Sequence, residues 1–193
     1  MESSYRYWQG EKVLLRLPQI SDLDMIVADY RKYVGSDQDW LAGNLWLPES
    51  EDDCRQSWEK YFKDEAKGEN LRFLICNTDG EYIGGIDTFN TDRRHGGFMY
   101  GIGLNPEYRG SGHAAEAIVL LLDFFFNHLR YHRCEVLVYA FNPRSARFHE
   151  KIGFVLYGRQ SEAIFVSGKY HDVLRYELLA QQFNGLYPQR LLL

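Results

Sequence analysis

Hydrophobic residues repeat along this chain with the two periods that distinguish strands from helices. Short apolar or alternating runs predict strands at residues 12–17, 71–76, 82–89, 98–104, 135–139, 155–159, 163–165 and 170–178. Apolar residues at helical spacing predict helices at residues 23–34, 51–67, 112–130 and 143–152. A chain of 193 residues with this mixture of elements is expected to form a single α/β domain.

The turns between these elements predict how the strands pair. Asp79-Gly80 is a hairpin signal between the second and third strands, and the polar residues 90–96 allow a second reversal. The strands between residues 71 and 104 therefore form an antiparallel meander. The helix at 112–130 joins strand 98–104 to strand 135–139, and a right-handed crossover of this kind makes those two strands parallel.

The helix at residues 112–130 is apolar on nearly every side. Its polar residues form one narrow stripe of Glu116, Asp123, Asn127 and Arg130. A helix of this kind is buried on most sides, so packing against the sheet holds its first turn in place.

Capping residues mark the ends of two other helices. Ser50 precedes three acidic residues, which are favourable in a first helical turn and therefore indicate helix electrostatics rather than a metal site. Asn142 followed by Pro143 begins the helix at 143–152, and Gly153 ends it. From Gln181 onward the short tail is expected to fray.

A loop with two glycines, Arg-Gly-Ser-Gly-His-Ala at residues 109–114, joins strand 98–104 to the long helix. Backbone N–H groups at a helix N-terminus bind anions, and the missing Cβ atoms of Gly110 and Gly112 let a phosphate approach the backbone. A tight turn without a ligand has the same pattern. The loop lacks the Gly-Lys-Ser/Thr of a Walker-type P-loop and the third glycine of a dinucleotide fingerprint.

Composition and charge restrict the class of protein. With 45% hydrophobic and 25% charged residues, the chain resembles ordinary globular proteins. Its net charge of −5 argues against general nucleic-acid binding. Residues 1–96 carry 12 Lys/Arg and 19 Asp/Glu, whereas residues 97–193 carry 10 and 8. The acidic half either steers a cationic amine toward the protein or is an ordinary solvated surface.

Cysteine usage and the N-terminal sequence predict the compartment. The three cysteines are scattered, which suits a reducing cytosol and no metal site. Residues 1–10 lack the apolar core of a secretory signal, and no apolar run reaches membrane-spanning length. We therefore expect a cytoplasmic protein that binds neither nucleic acid nor membranes.

Three stretches, in this order along the chain, resemble one enzyme family. Arg-x-x-Gly-x-Ala at 109–114, after an apolar strand, is similar to the acyl-coenzyme A pyrophosphate loop of the GNAT N-acetyltransferases. Asn-Pro-Arg-Ser and Glu-Lys-Ile-Gly-Phe within 142–154 resemble the second signature of that family, in its branch similar to the RimJ/RimL ribosomal-protein N-terminal acetyltransferases. Residues 168–173 also resemble that branch.

The resemblance implies a mixed α/β GNAT fold for the whole chain. In this fold a central, mostly antiparallel mixed sheet is flanked by helices, and the parallel strands 98–104 and 135–139 are splayed apart. Residues 1–96 are then mainly the acceptor side, and residues 97–180 are the acetyl-CoA-binding core. Acetyl-CoA is the implied cosubstrate, no metal is implied, and a homodimer is one expected assembly.

The same resemblance implies which residues hold acetyl-CoA. Backbone groups of Ile102 and Leu104 are expected to pair with the pantetheine arm, the N–H groups of 109–114 to hold the pyrophosphate, and Asn142 to contact the arm from the far side. The expected cofactor-binding set is Ile102, Leu104, Arg109, Gly110, Ser111, Gly112, His113, Ala114 and Asn142.

Acceptor residues are expected in the first half of the chain and on the strand before the loop. The candidates are Trp40, Trp46, Asp87 and Tyr100. Loop aromatics such as the two tryptophans either line a binding site or cover the core. Asp87 either acts on the amine through a water molecule or is a structural carboxylate.

Two residues of the second signature are candidate catalytic groups. Many relatives place a tyrosine four residues before the glycine of the Gly-Phe pair, and here that position is His149. Its imidazole either donates a proton to the departing thiolate or is a bystander. Ser145 corresponds to a serine implicated in the RimL-like branch, and it either takes part in catalysis or only caps its helix.

The implied reaction is attack of a neutral amine on the acetyl thioester. At pH 7 about one α-amine in seven is neutral (pKa ~7.8), against about one lysine amine in 2,500 (pKa ~10.4). Strand 98–104 carries no carboxylate that could act as a base, which favours an acceptor of low pKa such as a protein N-terminus. The alternatives are a small-molecule acetyltransferase that acts on polyamines or antibiotics, and a non-catalytic acyl-CoA-binding regulatory module.

Overall fold

The computed structural model of the protein describes residues 8–33, 50–64 and 68–188. Its helices are α1 (Leu23–Tyr33), α2 (Glu51–Lys63), α3 (His113–Asp123), α4 (Pro143–Ile152) and α5 (Ala180–Leu186). Its strands are β1 (Val13–Arg16), β2 (Arg72–Asn77), β3 (Tyr82–Asp92), β4 (Gly97–Leu104), β5 (Arg133–Tyr139), β6 (Val155–Val166) and β7 (Lys169–Leu179). Short 3-10 turns lie at Ile20–Asp22 and Pro106–Tyr108.

The strands form one mixed sheet in the order β1-β2-β3-β4-β5-β7-β6. Neighbouring strands are antiparallel except β4 and β5, which are parallel. The hairpin at Asp79-Gly80 and the crossover through α3 produce this order, as the sequence predicts.

The parallel strands β4 and β5 separate soon after they begin. They pair only over residues 97–99 and 133–135. Beyond this fork β4 stays paired with β3 as far as Leu104, and β5 stays paired with β7 as far as Tyr139. A gap therefore opens in the middle of the sheet, which confirms the predicted splayed pair.

The helices cover the two faces of the sheet unequally. On one face, α3, α4 and α5 bury alternate strand residues in the main core, which includes Val13, Leu15, Phe73, Ile75, Ile86, Phe98, Cys134 and Val136. On the other face, α1 and α2 pack over the first strands through two smaller clusters, which include Leu23, Ile26, Val27, Cys54, Leu74 and Cys76. No helix within the described ranges is both long and apolar enough to cross a bilayer.

The predicted helix caps are confirmed. The Ser50 hydroxyl accepts the N–H of Asp53 at 3.1 Å, and the Asp53 carboxylate accepts the N–H of Ser50 at 3.0 Å. Asn142 accepts the N–H of Ser145 at 3.1 Å, and Gly153 ends α4 at a φ of 115°. These interactions span only a few residues, which explains why sequence was enough to find them.

Several predicted boundaries are wrong. The helix predicted at 51–67 ends at Lys63, because Asp64 is already extended. The predicted strands at 155–159 and 163–165 form one strand, β6, whose register with β7 shifts between Gln160 and Ile164. The long helix changes after Asp123 into a π-helical turn, Phe124–His128. The tail does not fray at Gln181, because the fully buried Phe183 holds α5 against the core.

Candidate active site

The loop at residues 109–114 lies where β4 ends and α3 begins. Gly110 and Gly112 have φ angles of +83° and +95°, a conformation that glycine adopts without strain. Gly112 is the N-cap residue of α3 and supplies no side chain to cap it. The first N–H groups of α3 therefore stay available to an anion placed on the loop.

Side chains in and beside this loop brace it internally. The Arg109 Nε donates to the carbonyl oxygen of Leu104 at 2.8 Å. The Ser111 hydroxyl donates to the carbonyl oxygen of Tyr108 at 2.9 Å, so His113 Nδ1, 2.7 Å away, is the donor to that hydroxyl. These bonds hold the shape of the loop. The backbone N–H of Arg109 donates to the carbonyl oxygen of Pro106 at 3.1 Å, so the N–H groups that follow it are the candidate donors for a ligand.

The edge of β4 that faces the gap is formed by alternate residues. Asn105 donates its N–H to Ile83 of β3 at 2.9 Å. Because backbone groups alternate in direction along an antiparallel strand, Tyr100, Ile102 and Leu104 direct theirs into the gap. These groups of Ile102 and Leu104 are thus directed to where an extended chain in the gap would lie, although the Leu104 carbonyl oxygen already accepts the Arg109 Nε. Their pairing with the pantetheine arm stays a prediction.

Helix α4 brings Ser145 and His149 together on the far side of the gap. The Nδ1 of His149 lies 2.8 Å from the carbonyl oxygen of Ser145 and 3.3 Å from its hydroxyl oxygen. A carbonyl oxygen only accepts, so Nδ1 carries the proton and Nε2 of the neutral ring is bare. Burial lowers the pKa of His149, which favours this neutral form.

Tyr100 lies beside His149 and away from the face that carries Asp87. Its ring centroid is 6.0 Å from that of His149 and 6.0 Å from that of Phe154. The side chain is 4% exposed, and its hydroxyl has no hydrogen-bond partner within the described part of the chain. Burial raises the pKa of Tyr100 well above its ordinary value, so the hydroxyl stays protonated.

Asp87 lies on the opposite face of the sheet, next to the fork. It pairs with Gly101, the second residue of β4 beyond the fork. Among the described residues, no atom lies within 4 Å of where a Cβ of Gly103 would be, and the Phe89 ring, at 3.7 Å, is the nearest to that of Gly101. Neither glycine places a side chain beside the Asp87 carboxylate.

The surroundings of Asp87 change its acidity. Burial against the surrounding protein removes water from the Asp87 carboxylate and raises its pKa to about 6. The positive charge of the Arg72 guanidinium, whose Nε is 3.7 Å from the carboxylate, opposes that rise. Arg72 is itself held over the Trp58 ring, 4.7 Å from its centroid. Because 49% of the Asp87 side chain stays exposed to solvent, the raised pKa changes the pH at which Asp87 takes up a proton but has little effect on the stability of the fold.

A second carboxylate borders the same face. Asp29 of α1 accepts a hydrogen bond from the Tyr82 hydroxyl at 3.2 Å. With Met25, Ala28 and Asn105 these residues line a shallow depression of about 350 Å³ near the end of β4. The depression was not predicted from the sequence, because it depends on how α1 packs against the sheet. The predicted acceptor residues Trp40 and Trp46 lie outside the described residues.

Glu116 has a role that the sequence did not reveal. Its carboxylate accepts the backbone N–H groups of Glu11, Lys12 and Val13 at 2.9, 2.7 and 2.9 Å. The start of β1 is thereby bonded to the first turn of α3. The only sequence signal was the position of Glu116 in the polar stripe of an otherwise apolar helix.

Together these features suit a ligand that joins an anionic group to an extended chain. The loop offers N–H donors to the anion, the gap offers a free strand edge to the chain, and Asp87 offers a carboxylate near the fork. A splayed strand pair with an anion-binding loop at its open end is the architecture of an acyl-coenzyme A-dependent transferase. The chain belongs to the GNAT acetyltransferases: residues 12–155 match the family described as "Acetyltransferase (GNAT) domain".

Individual relatives agree with this assignment. The SPbeta prophage-derived uncharacterized N-acetyltransferase YokL of Bacillus subtilis is 32% identical over 92% of this chain and 96% of its own length. The spermidine N(1)-acetyltransferase of Vibrio cholerae is 29% identical over 70% of this chain and 76% of its own length. The protein is thus a GNAT N-acetyltransferase, and enzymes of this family use acetyl-CoA.

The fold also matches that of solved structures. The crystal structure of spermidine N-acetyltransferase from Vibrio cholerae in complex with CoA and spermine superposes with a TM-score of 0.74. The superposition covers 90% of this chain and 99% of that one at 24% identity, so it supports the fold alone.

Proposed function

We propose that this enzyme transfers the acetyl group of acetyl-CoA to a primary amine of low pKa, such as the α-amine of a protein N-terminus, as in the RimJ/RimL-type branch. The observation that carries the proposal is the half-exposed Asp87 carboxylate near the fork, with a pKa raised to about 6. A carboxylate of this kind is poised to accept a proton from an incoming ammonium group.

Acetyl-CoA supplies the activated acetyl group, and this chain supplies its binding surface. The N–H groups of residues 110–114 hold the diphosphate, because that of Arg109 already donates to the Pro106 carbonyl oxygen. Ile102 and Leu104 pair with the pantetheine arm in the gap. Asn142, at the start of α4, faces the arm from the other side of the gap. Support comes from the uncapped start of α3 and from the unpaired edge of β4.

The pKa difference between acceptor and base favours an α-amine. An α-ammonium group has a pKa of ~7.8, about 2 units above Asp87, whereas a lysine ammonium at ~10.4 is about 4 units above it. Each unit costs about 1.4 kcal/mol, so moving the proton of a lysine-type amine to Asp87 costs roughly 3.5 kcal/mol more.

The proton balance assigns a role to each group. As the amine nitrogen bonds to the acetyl carbon, its proton passes to Asp87, directly or through water. The C–S bond breaks and the thiolate needs a proton. His149 has no proton at Nε2, and its Nδ1 proton is directed to the Ser145 carbonyl. The Ser145 hydroxyl hydrogen is not used in that contact, so Ser145 is the proposed donor to the sulfur. The serine regains a proton from water, and Asp87 releases the amine proton to water, so that both groups return to their starting forms.

A polyamine is the second candidate acceptor. Two carboxylates, Asp87 and Asp29, border the same face, which suits an acceptor with more than one positive charge. Residues 1–96 also carry a net negative charge, with 19 Asp/Glu against 12 Lys/Arg, and this charge would attract a polycation. The Vibrio cholerae relative is named for spermidine acetylation, which supports the same class of acceptor.

Release of free thiol from acetyl-CoA tests the proposal. The acceptors are a peptide with a free N-terminus and an internal lysine, the same peptide with a blocked N-terminus, spermidine and an aminoglycoside. We expect thiol release with the free peptide and none with the blocked one. Release with spermidine alone would favour the second candidate, and CoA binding without release for any amine would indicate a non-catalytic module.

A further inference from the structure

Lys12, the residue before β1, contacts the loop at residues 109–114 that the sequence analysis identified. Its ammonium group donates to the carbonyl oxygen of Ser111 at 2.8 Å. The same nitrogen lies 3.4 Å from where a Cβ of Gly112 would be. An exposed cation from a distant part of the chain is thus placed against the middle of the loop.

The position of Lys12 is held by the backbone on either side of it. The three successive N–H groups of residues 11–13 bond to the Glu116 carboxylate in the first turn of α3. The Glu116 carboxylate is therefore bonded to backbone N–H groups and not to the Lys12 ammonium. In the described ranges the Lys12 ammonium has no carboxylate within ion-pair distance.

Arg144 approaches the loop from the other half of the sheet. Its Nη2 lies 3.7 Å from where a Cβ of Gly110 would be. Arg144 belongs to the first turn of α4, after β5, whereas Gly110 follows β4. The guanidinium group therefore crosses the mouth of the gap between the two strands.

Positive charge is concentrated at the mouth of the gap. A cation in the first turn of a helix is unfavourable, because the helix N-terminus is itself positive. Arg144 has no carboxylate within ion-pair distance in the part of the chain that the structure describes. Two cations and the N-termini of α3 and α4 meet at one place, and an anion seated between them would offset this repulsion.

We propose that Lys12 and Arg144 grip the diphosphate of acetyl-CoA from the two sides of loop 109–114. The inference rests on the proposed position of acetyl-CoA at this loop. It adds two cationic side chains to the backbone N–H groups of the loop. One of them, Lys12, lies just before β1, 99 residues from Ser111 along the chain. Arg144 also ties the two halves of the split sheet together through the bound anion.

Binding and turnover of Lys12→Gln and Arg144→Gln test the proposal. The matched controls are Arg147→Gln, an exposed arginine one turn further along α4, and the charge-preserving variants Lys12→Arg and Arg144→Lys. We expect the Kd of CoA, measured by calorimetry, to rise about tenfold for each Gln variant, as for loss of a charge-assisted hydrogen bond. Arg147→Gln should bind with nearly unchanged affinity, and each charge-preserving variant should lose less affinity than the Gln variant at the same position. Added salt should weaken the wild type more than the Gln variants.

Substrate fragments distinguish two roles of Lys12 and Arg144, which are direct contact with the diphosphate and stabilisation of the loop. With S-acetyl-pantetheine, which has no phosphate, the Gln variants should keep the wild-type kcat/KM. With 3′-dephospho-CoA they should lose the same factor in affinity as with CoA. Unchanged CoA affinity, an equal loss with S-acetyl-pantetheine, or a loss confined to CoA would each overturn the assignment to the diphosphate. A wild-type protein that fails to bind CoA would instead contradict the proposed function itself.

Discussion

His149 donates its Nδ1 proton to the backbone carbonyl oxygen of Ser145, 2.8 Å away and one turn earlier in α4. This bond assigns the tautomer of the ring and leaves Nε2 without a proton. Burial lowers the pKa of His149, so the imidazolium form is disfavoured near pH 7. His149 stands where many relatives have a tyrosine, but its geometry is that of an acceptor rather than of an acid.

Replacement of His149 by phenylalanine should therefore cost little activity. Phenylalanine fills a similar space among Tyr100, Phe148 and Phe154, and we expect kcat with acetyl-CoA to fall by less than about tenfold. Loss of a general acid typically lowers the rate by ~10²–10⁴. A fall of that size in kcat, with an unchanged melting temperature, would show that His149 supplies the proton after all. Ser145→Ala is the companion variant, and its kcat should fall by the larger factor.

The pH dependence of the reaction should report Asp87. The raised folded-state pKa of about 6 means that Asp87 is protonated below this pH and cannot accept a proton there. We expect kcat/KM to rise with pH through about 6 and this limb to disappear in Asp87→Asn, with activity at pH 7 reduced by about 10². The control is Asp92→Asn, on the same strand, whose carboxylate instead binds His95. An acidic limb that persists in Asp87→Asn would exclude Asp87 as the base.

Gly112→Glu should abolish CoA binding and leave the fold intact. The φ of +95° at Gly112 makes any side chain strained, which costs roughly 1–2 kcal/mol, and a carboxylate there would repel the diphosphate. Gly168→Glu is the control, because Gly168 has a similar φ of +81° at the β6–β7 turn, and no atom of the described ranges lies within 4 Å of where its Cβ would be. Calorimetry with CoA and thermal denaturation measure the two effects. If both variants bind CoA equally well, the loop is not the diphosphate site.

Glu116→Gln should destabilise the protein. The amide nitrogen of glutamine cannot accept a hydrogen bond, so at least one N–H of residues 11–13 loses its partner. We expect stability to fall by about 2 kcal/mol, or roughly 4–8 °C in Tm. Affinity for CoA should fall as well, since Lys12 loses its anchor. The exposed Glu107→Gln is the control, and an equal Tm for the two variants would show that the start of β1 is held by other contacts.

Much of the fold was predictable because its determinants are local or periodic. The caps at Ser50 and Asn142 act within three residues, and the apolar period of each strand reports which face is buried. The crossover rule then made β4 and β5 parallel. The π-helical turn after Asp123 and the burial of Phe183 were missed, because both depend on packing against other elements. The cytoplasmic location and the homodimer stay predictions.

The candidate site was predicted unevenly for the same reason. The loop 109–114 and the strand edge at Ile102 and Leu104 come from one continuous stretch, so a signature found them. The separation of Asp87 and Tyr100 onto opposite faces follows from the register of β3 with β4, which pairs Asp87 with Gly101. The sequence identifies both residues, but the pairing register of the two strands is known only from the structure.

The amino-acid sequence by itself determined the secondary elements, the helix caps, the parallel crossover and the family, because each depends on residues close together or on a repeated pattern. Only the tertiary structure decided which charged groups meet. Glu116 bonds to residues 103–105 positions away, and Lys12 reaches Ser111 across 99 positions. Contacts over such separations leave no local pattern, since they are created by the packing of α3 against β1.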